Sequence, residues 1–143
     1  MGSGPVDVLL LDTHTWVWTM NGGPEQMTTD ARDAIQRASS ASALAISAIS
    51  IWEVAMLESK GRLQLGKECM AWVTESVRRA NLRVLPLSPA VAVASTRLPG
   101  ELHADTSDRI IAATARDEGA VLVTRDSSLL RYAARGYLRA IEA

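Results

Sequence analysis

Apolar runs and stretches with helical spacing alternate along the whole chain. Residues 6–12, VDVLLLD, form a nearly unbroken apolar run, as in a strand buried on both faces that needs no polar alternation. HTWVWTM (14–20) continues as a short helix, which NGGP (21–24) breaks. TTDARDAIQRAS (28–39) has capping residues at its start and apolar positions at Ala31, Ile35 and Ala38, which predicts a helix. SALAIS (42–47) reads as a short strand. SIWEVAMLESKG (50–61) reads as a helix with Lys60 in its last turn and Gly61 as its stop. GKECMAWVTESVRRA (66–80) is a further helix, and RVLPLS (83–88) a strand that Pro86 pushes to a sheet edge. PAVAVASTRL makes a short helix, and SDRIIAATARDEG a well-formed one ending at Gly119. AVLVT (120–124) is a strand, SSLLRYAARG a helix, and YLRAIE a last strand. Strands alternating with helices predict an α/β fold whose parallel sheet is covered on both faces. No repeat, low-complexity stretch or linker interrupts it.

Composition narrows the class. With 143 residues the chain makes one domain long enough to bury a core, and 48% apolar with 22% charged residues describes a soluble globular protein. No apolar run approaches the roughly 18 residues of a membrane span. The start lacks the cationic region of a secretory signal. MGSGP (1–5) is set aside as a cloning remnant or flexible N-terminus, leaving 6–143 as a single domain. A lone Cys69 excludes an internal disulfide and any multi-cysteine metal site, and is expected as a buried, inert thiol on a helix. These features predict a cytoplasmic protein. The net charge of −1 gives no cationic field for nucleic acid. From Arg109 onward there are nevertheless six Arg and no Lys, with Arg125, Arg131, Arg135 and Arg139 closely spaced. Their spacing favours a solvated helix face over a phosphate patch.

Four acids fall at strand-to-helix junctions, where ligands of open α/β sheets bind. Asp12 ends the first strand, and Glu53 is expected in the first turn of the helix after the second. Asp108 opens the helix before the fourth strand, and Asp126 follows that strand. Each has an ordinary explanation. Ser50 and Glu53 fit a capping box, Asp105 and Asp108 nearly do, and Asp12 and Asp126 stand where N-caps belong. Taken together they point further. If the strands are neighbours, the carboxylates converge on one edge, and repulsion raises some of their pKa values. A hard divalent cation with oxygen ligands and retained waters relieves that repulsion.

Four segments in order, LLLDTHTWVW, AISAISIWEVAMLESKGRLQL, HADTSDRIIAATA and LVTRD, resemble the PIN-domain family, specifically VapC-type toxins of toxin–antitoxin pairs. The resemblance runs from about Val6 to the end. It implies a PIN-like three-layer α/β/α fold with a central, mostly parallel five-stranded sheet. It also implies an Mg²⁺- or Mn²⁺-dependent endoribonuclease that cleaves RNA phosphodiesters by metal-activated water and leaves a 5′-phosphate. The implied partners are RNA, a neutralising VapB-type antitoxin and a second copy in a homodimer. A larger hetero-oligomer with the antitoxin is implied too, with DNA met only through the antitoxin and no membrane. Residue by residue, Asp12, Glu53, Asp108 and Asp126 match the family's acidic quartet, as metal ligands and catalytic groups. Asp105 matches an extra acid, read first as helix cap and second as outer-shell helper. Thr124, in T-x-D, orients a carboxylate or a water, or else satisfies backbone at the strand end. Arg109 meets RNA phosphate or pairs with Asp105.

Other residues are read as structural. His14 lies at a helix start and is left out of the site, and His103 is expected exposed in a loop. Trp16, Trp52 and Trp72 are expected in the core or a dimer interface rather than stacking on bases. The helices around Trp16 and Trp52 are candidate docking surfaces for an amphipathic antitoxin segment. No Ser-His-Asp order or glycine-rich phosphate loop is present. A receiver domain needs paired acids after its first strand and a late lysine, but no Lys follows Lys67. A phosphatase of the haloacid dehalogenase type needs D-x-D where this chain has DTH. The remaining alternative is a catalytically inactive PIN-like module that binds partners or regulates.

Overall fold

In a computed structural model, which describes residues 7–22 and 26–143, five short strands form one parallel sheet. The elements are β1 (Leu9–Leu11), α1 (Thr13–Asn21), α2 (Thr29–Ser40), β2 (Leu44–Ser47), α3 (Ala48–Ser59) and α4 (Cys69–Arg79). They continue as β3 (Arg83–Leu85), α5 (Pro89–Ser95), α6 (Thr106–Glu118), β4 (Val121–Thr124), α7 (Ser127–Ala134) and β5 (Arg139–Glu142). The strand order is β3-β2-β1-β4-β5, and every pairing is parallel, so the mostly parallel sheet expected is wholly parallel. β1 begins three residues later than its apolar run, and Val6 lies outside the described residues. Of the NGGP break, Gly22 caps α1 in the left-handed region, while Gly23 and Pro24 lie outside the described residues.

The central strands are buried on both faces, which is why their sequences show no alternation. Leu9, Leu11, Leu44, Ile46 and Val123 face one side and pack with Trp16, Val17, Ile35, Trp72 and Val73 of α1, α2 and α4. Leu10, Ala45, Leu85 and Leu122 face the other and pack with Val91, Ile110, Ile111, Leu129 and Tyr132 of α5, α6 and α7. Each such aliphatic side chain contributes about 1.5–3 kcal/mol by leaving water. β3 takes the edge where Pro86 ends it. Among the described residues no helix is long and apolar enough to cross a membrane.

This topology fixes where a site can form. The chain runs from β1 outward through β2 to β3, then returns to lay β4 on the opposite side of β1. Ligand crevices open at such a reversal, beyond the carboxyl ends of the strands. α1 and α7 start there, from the ends of β1 and β4. α6 is aimed at the same end by the loop before it. The Tyr132 hydroxyl donates to the Pro99 carbonyl at 2.5 Å, and Gly100, at φ 70°, lies so close that a Cβ would stand 2.5 Å from the Tyr137 ring.

Candidate active site

Asp12, the N-cap of α1, is buried at the end of β1. Its Oδ1 accepts the Thr15 N–H at 2.9 Å, and its Oδ2 accepts the Thr124 hydroxyl proton at 2.5 Å. Thr124, wholly buried at the end of β4, also accepts the Asp126 N–H at 3.0 Å. The Thr124 hydroxyl thus makes one hydrogen bond to a carboxylate and one to backbone. Asp126 in turn caps α7 through the Leu129 N–H at 2.9 Å. One hydroxyl thus ties together the acids that follow two neighbouring strands.

Glu53 reaches the site differently from the sequence expectation. α3 follows β2 without a loop, and its N-cap is Ser47, whose Oγ accepts the Ile49 N–H at 3.2 Å. The capping box of Ser50 and Glu53 is therefore corrected: both lie inside the helix. Ser50 is buried there, and its Oγ stands 2.9 Å from the Thr13 Oγ1. Thr13 Oγ1 is 2.6 Å from Glu53 Oε1. With a single proton, Thr13 donates to the carboxylate and accepts from Ser50. Sequence reasoning missed Thr13, whose only signal was a hydroxyl directly after Asp12, and gave Ser50 a capping role in place of its contact with Thr13.

Asp105 and Asp108 divide as the helix start suggests. Asp105 is exposed and caps α6, its Oδ1 accepting the Asp108 N–H at 2.9 Å. Asp108 is half-buried, and no protein donor among the described residues reaches its carboxylate. Burial first, then the charges of Asp105, Asp126, Glu53 and Asp12, push its pKa up to about 7.

Arg109 is a correction. Its Nε donates to the Ser95 carbonyl at 2.9 Å and its Nη1 to that of Leu102 at 2.8 Å, so it clamps α6 to α5 and the following loop. No ion pair with Asp105 forms among the described residues. Of the four closely spaced arginines only Arg131 lies within a helix, so the solvated helix face that their spacing favoured does not form: Arg125 follows β4, Arg135 caps α7 and Arg139 lies in β5. Arg135 donates to the Glu101 carbonyl, Arg139 to that of Gly119, and Arg125 to that of Ala143. Trp16 and Trp72 are core residues with rings 4.9 Å apart, so the buried Trp16 offers no docking surface. Trp52 is 57% exposed and belongs to no core. His103 is exposed as expected. Cys69, expected buried, is half-buried at the first position of α4, where burial and the charges of Glu58 and Glu68 push its thiol pKa up.

Among the described residues, no three acidic, histidine or cysteine groups stand close enough to ligate one ion together. The donors at this edge are all hard oxygens, and a raised carboxyl pKa marks charge that lacks a counterion. That chemistry fits an ion such as Mg²⁺, which keeps several waters and takes one or two carboxylates directly.

The family model described as the PIN domain matches residues 9–135. Ribonuclease VapC22 of Mycobacterium tuberculosis is 34% identical over 121 residues, covering 85% of this chain and 88% of that protein. In fold, the chain is similar to VapBC2 of Rickettsia felis bound to a DNA fragment from its promoter, with TM-score 0.70 and 19% identity. That match covers 94% of this chain and 98% of the other. DNA-bound VapBC of Salmonella typhimurium gives TM-score 0.67 at 23% identity, covering 94% and 96%.

Proposed function

This chain belongs to the PIN-domain family, and we propose that it is a VapC-type toxin: a divalent-metal-dependent endoribonuclease held in check by an antitoxin. The observation that carries the reading is the half-buried Asp108 carboxyl, whose pKa is pushed up to about 7 by burial and by the charges of Asp105, Asp126, Glu53 and Asp12. A 34% identical relative named a ribonuclease supports the substrate class. Asp12, Glu53, Asp108 and Asp126 would hold Mg²⁺ or Mn²⁺ between them, one or two directly and the others through the waters that such an ion keeps. When bound, the ion lowers the pKa of water and offsets the charge that develops on the phosphate.

The protein's own groups divide the remaining tasks. Asp12 keeps both oxygens fixed by protein donors, so its charge points into the site in one orientation. Thr13 fixes Oε1 of Glu53, and Asp126 is fixed through Oδ2. Each of these two keeps a second oxygen that can accept a proton. Burial and the neighbouring charges favour the protonated form of Asp108 in the metal-free site, which lessens repulsion there. Asp105 supports the start of α6.

The protein acts as one domain over 6–143, in the cytoplasm, as a homodimer that joins its VapB-type antitoxin in a larger assembly and meets DNA through that partner. The exposed Trp52 on α3 supports an interface there. Expression of this chain alone should arrest growth of a bacterial host, and co-expression of its antitoxin should restore it. The folded Asp12→Asn protein should not arrest growth. Unchanged growth with abundant wild-type protein would favour the inactive partner-binding module instead.

A further inference from the structure

Trp18 is half-exposed on α1, and its indole N–H has no protein partner among the described residues. The two core tryptophans differ in this. Trp16 donates to Ser76 Oγ at 2.6 Å and Trp72 to Asn21 Oδ1 at 2.9 Å, as buried indoles require. Trp18 also packs against the core, and its exposed part is flanked by groups that suit a nucleobase. The Arg125 guanidinium carbon lies 5.4 Å from its ring centroid. Arg125 is held there by Nε and Nη2, which donate to the Ala143 carbonyl at 3.3 and 3.1 Å. One helical turn earlier, the exposed His14 ring lies 6.2 Å from the Trp18 ring and is tilted by 32°.

Both ends of this Arg–Trp–His row are tied to the acidic site by the chain itself. Arg125 directly precedes Asp126, and His14 follows Asp12 by two residues. The segments that carry the row follow β1 and β4, neighbouring parallel strands, and so leave the same edge of the sheet as Asp12 and Asp126. An acidic edge repels an RNA strand until a cation binds, so a neighbouring hold on the strand is useful there. A π surface backed by a fixed guanidinium grips an unpaired base without reading its identity, because every base has a π face.

We propose that Arg125, Trp18 and His14 form a platform on which an unpaired base of the substrate RNA, next to the cleaved phosphodiester, stacks. The proposal rests on the ribonuclease reading above and adds a substrate subsite to it. A histidine that looks structural in sequence thereby takes part in binding.

The test uses a short single-stranded RNA that the wild-type protein cleaves, together with copies carrying one abasic ribose moved stepwise past the cleaved bond. Binding is measured with the Asp108→Asn protein, alone and with Trp18→Leu or His14→Ala added. One abasic position beside the cleaved bond should weaken binding roughly tenfold, the scale of one lost base stack. Trp18→Leu and His14→Ala should weaken binding of intact RNA by up to that factor, yet leave the affinity for that abasic RNA unchanged. His14 is exposed, so its variant reports on binding even if Trp18→Leu disturbs the fold. Variants that bind intact RNA as the parent does, or that lose equal affinity for intact and abasic RNA, overturn the platform while wild-type cleavage keeps the ribonuclease reading. A wild-type protein that cleaves no RNA overturns both.

Discussion

Asp108→Asn should yield a metal-free protein that is more stable than wild type above neutral pH and inactive as a nuclease. Folding raises the Asp108 carboxyl from an ordinary 3.8 to about 7, so the folded state holds this proton more tightly than the unfolded chain does. The contribution of that proton is complete below about pH 4 and is lost as the pH rises through 7. A shift of this size corresponds to at most roughly 4 kcal/mol, and solvent screening at a half-buried carboxyl reduces it to about 1–2 kcal/mol. Denaturant titrations in chelator should show wild type losing this amount between about pH 4 and 8. The variant, with nothing to titrate at that position, should lose much less. RNA cleavage should meanwhile fall at least about 100-fold, beyond the 10–100-fold typical of groups that only support metal ligands. Asp105→Asn is the matched control. Asparagine caps helices nearly as well as aspartate, so stability should change by only tenths of a kcal/mol or so, with most activity kept. Equal losses from the two variants would refute the division between cap and ligand.

Thr124→Val should damage the site without touching a carboxylate. Valine has nearly the same shape but removes the hydroxyl that donates to Asp12 Oδ2 and accepts the Asp126 N–H. Thr124 is wholly buried, so no water replaces it easily, and the orphaned groups cost about 1–3 kcal/mol. Loss of orientation at two acids at once should lower cleavage about 10–100-fold, as for other supports of metal ligands. Thr124→Ser should recover most of both quantities. Full activity in a folded Thr124→Val protein would mean that the hydroxyl satisfies backbone and nothing more.

The elements legible in the sequence are those set by local rules. Unbroken apolar runs marked the strands buried on both faces, and Pro86 marked the edge strand. Gly119 marked the end of α6 because the chain leaves the helix there at φ 62°, where glycine is unstrained. Asp12, Asp105 and Asp126 were readable as caps, since a cap needs only its own helix start. Features made by distant parts of the chain were hidden. SAIS offers serines at 47 and 50, and only the loopless turn from β2 into α3 selects the first as the cap. Glu53 is oriented by Thr13, 40 residues away, and Arg109 is held by the carbonyls of Ser95 and Leu102. Trp52 was illegible for another reason. α3 is apolar on nearly every side, so its sequence period does not say which face is covered.

The central claim is that the acids gathered around Asp108 form one divalent-cation site that cuts RNA. Cleavage of single-stranded RNA by purified wild-type protein, followed while Mn²⁺ is titrated back after complete chelation, tests it most directly. The account predicts no cleavage in chelator, recovery that saturates with Mn²⁺, and no recovery at any Mn²⁺ concentration for folded Asp108→Asn. Cleavage that persists in chelator, or that Asp108→Asn performs as wild type does, would contradict it.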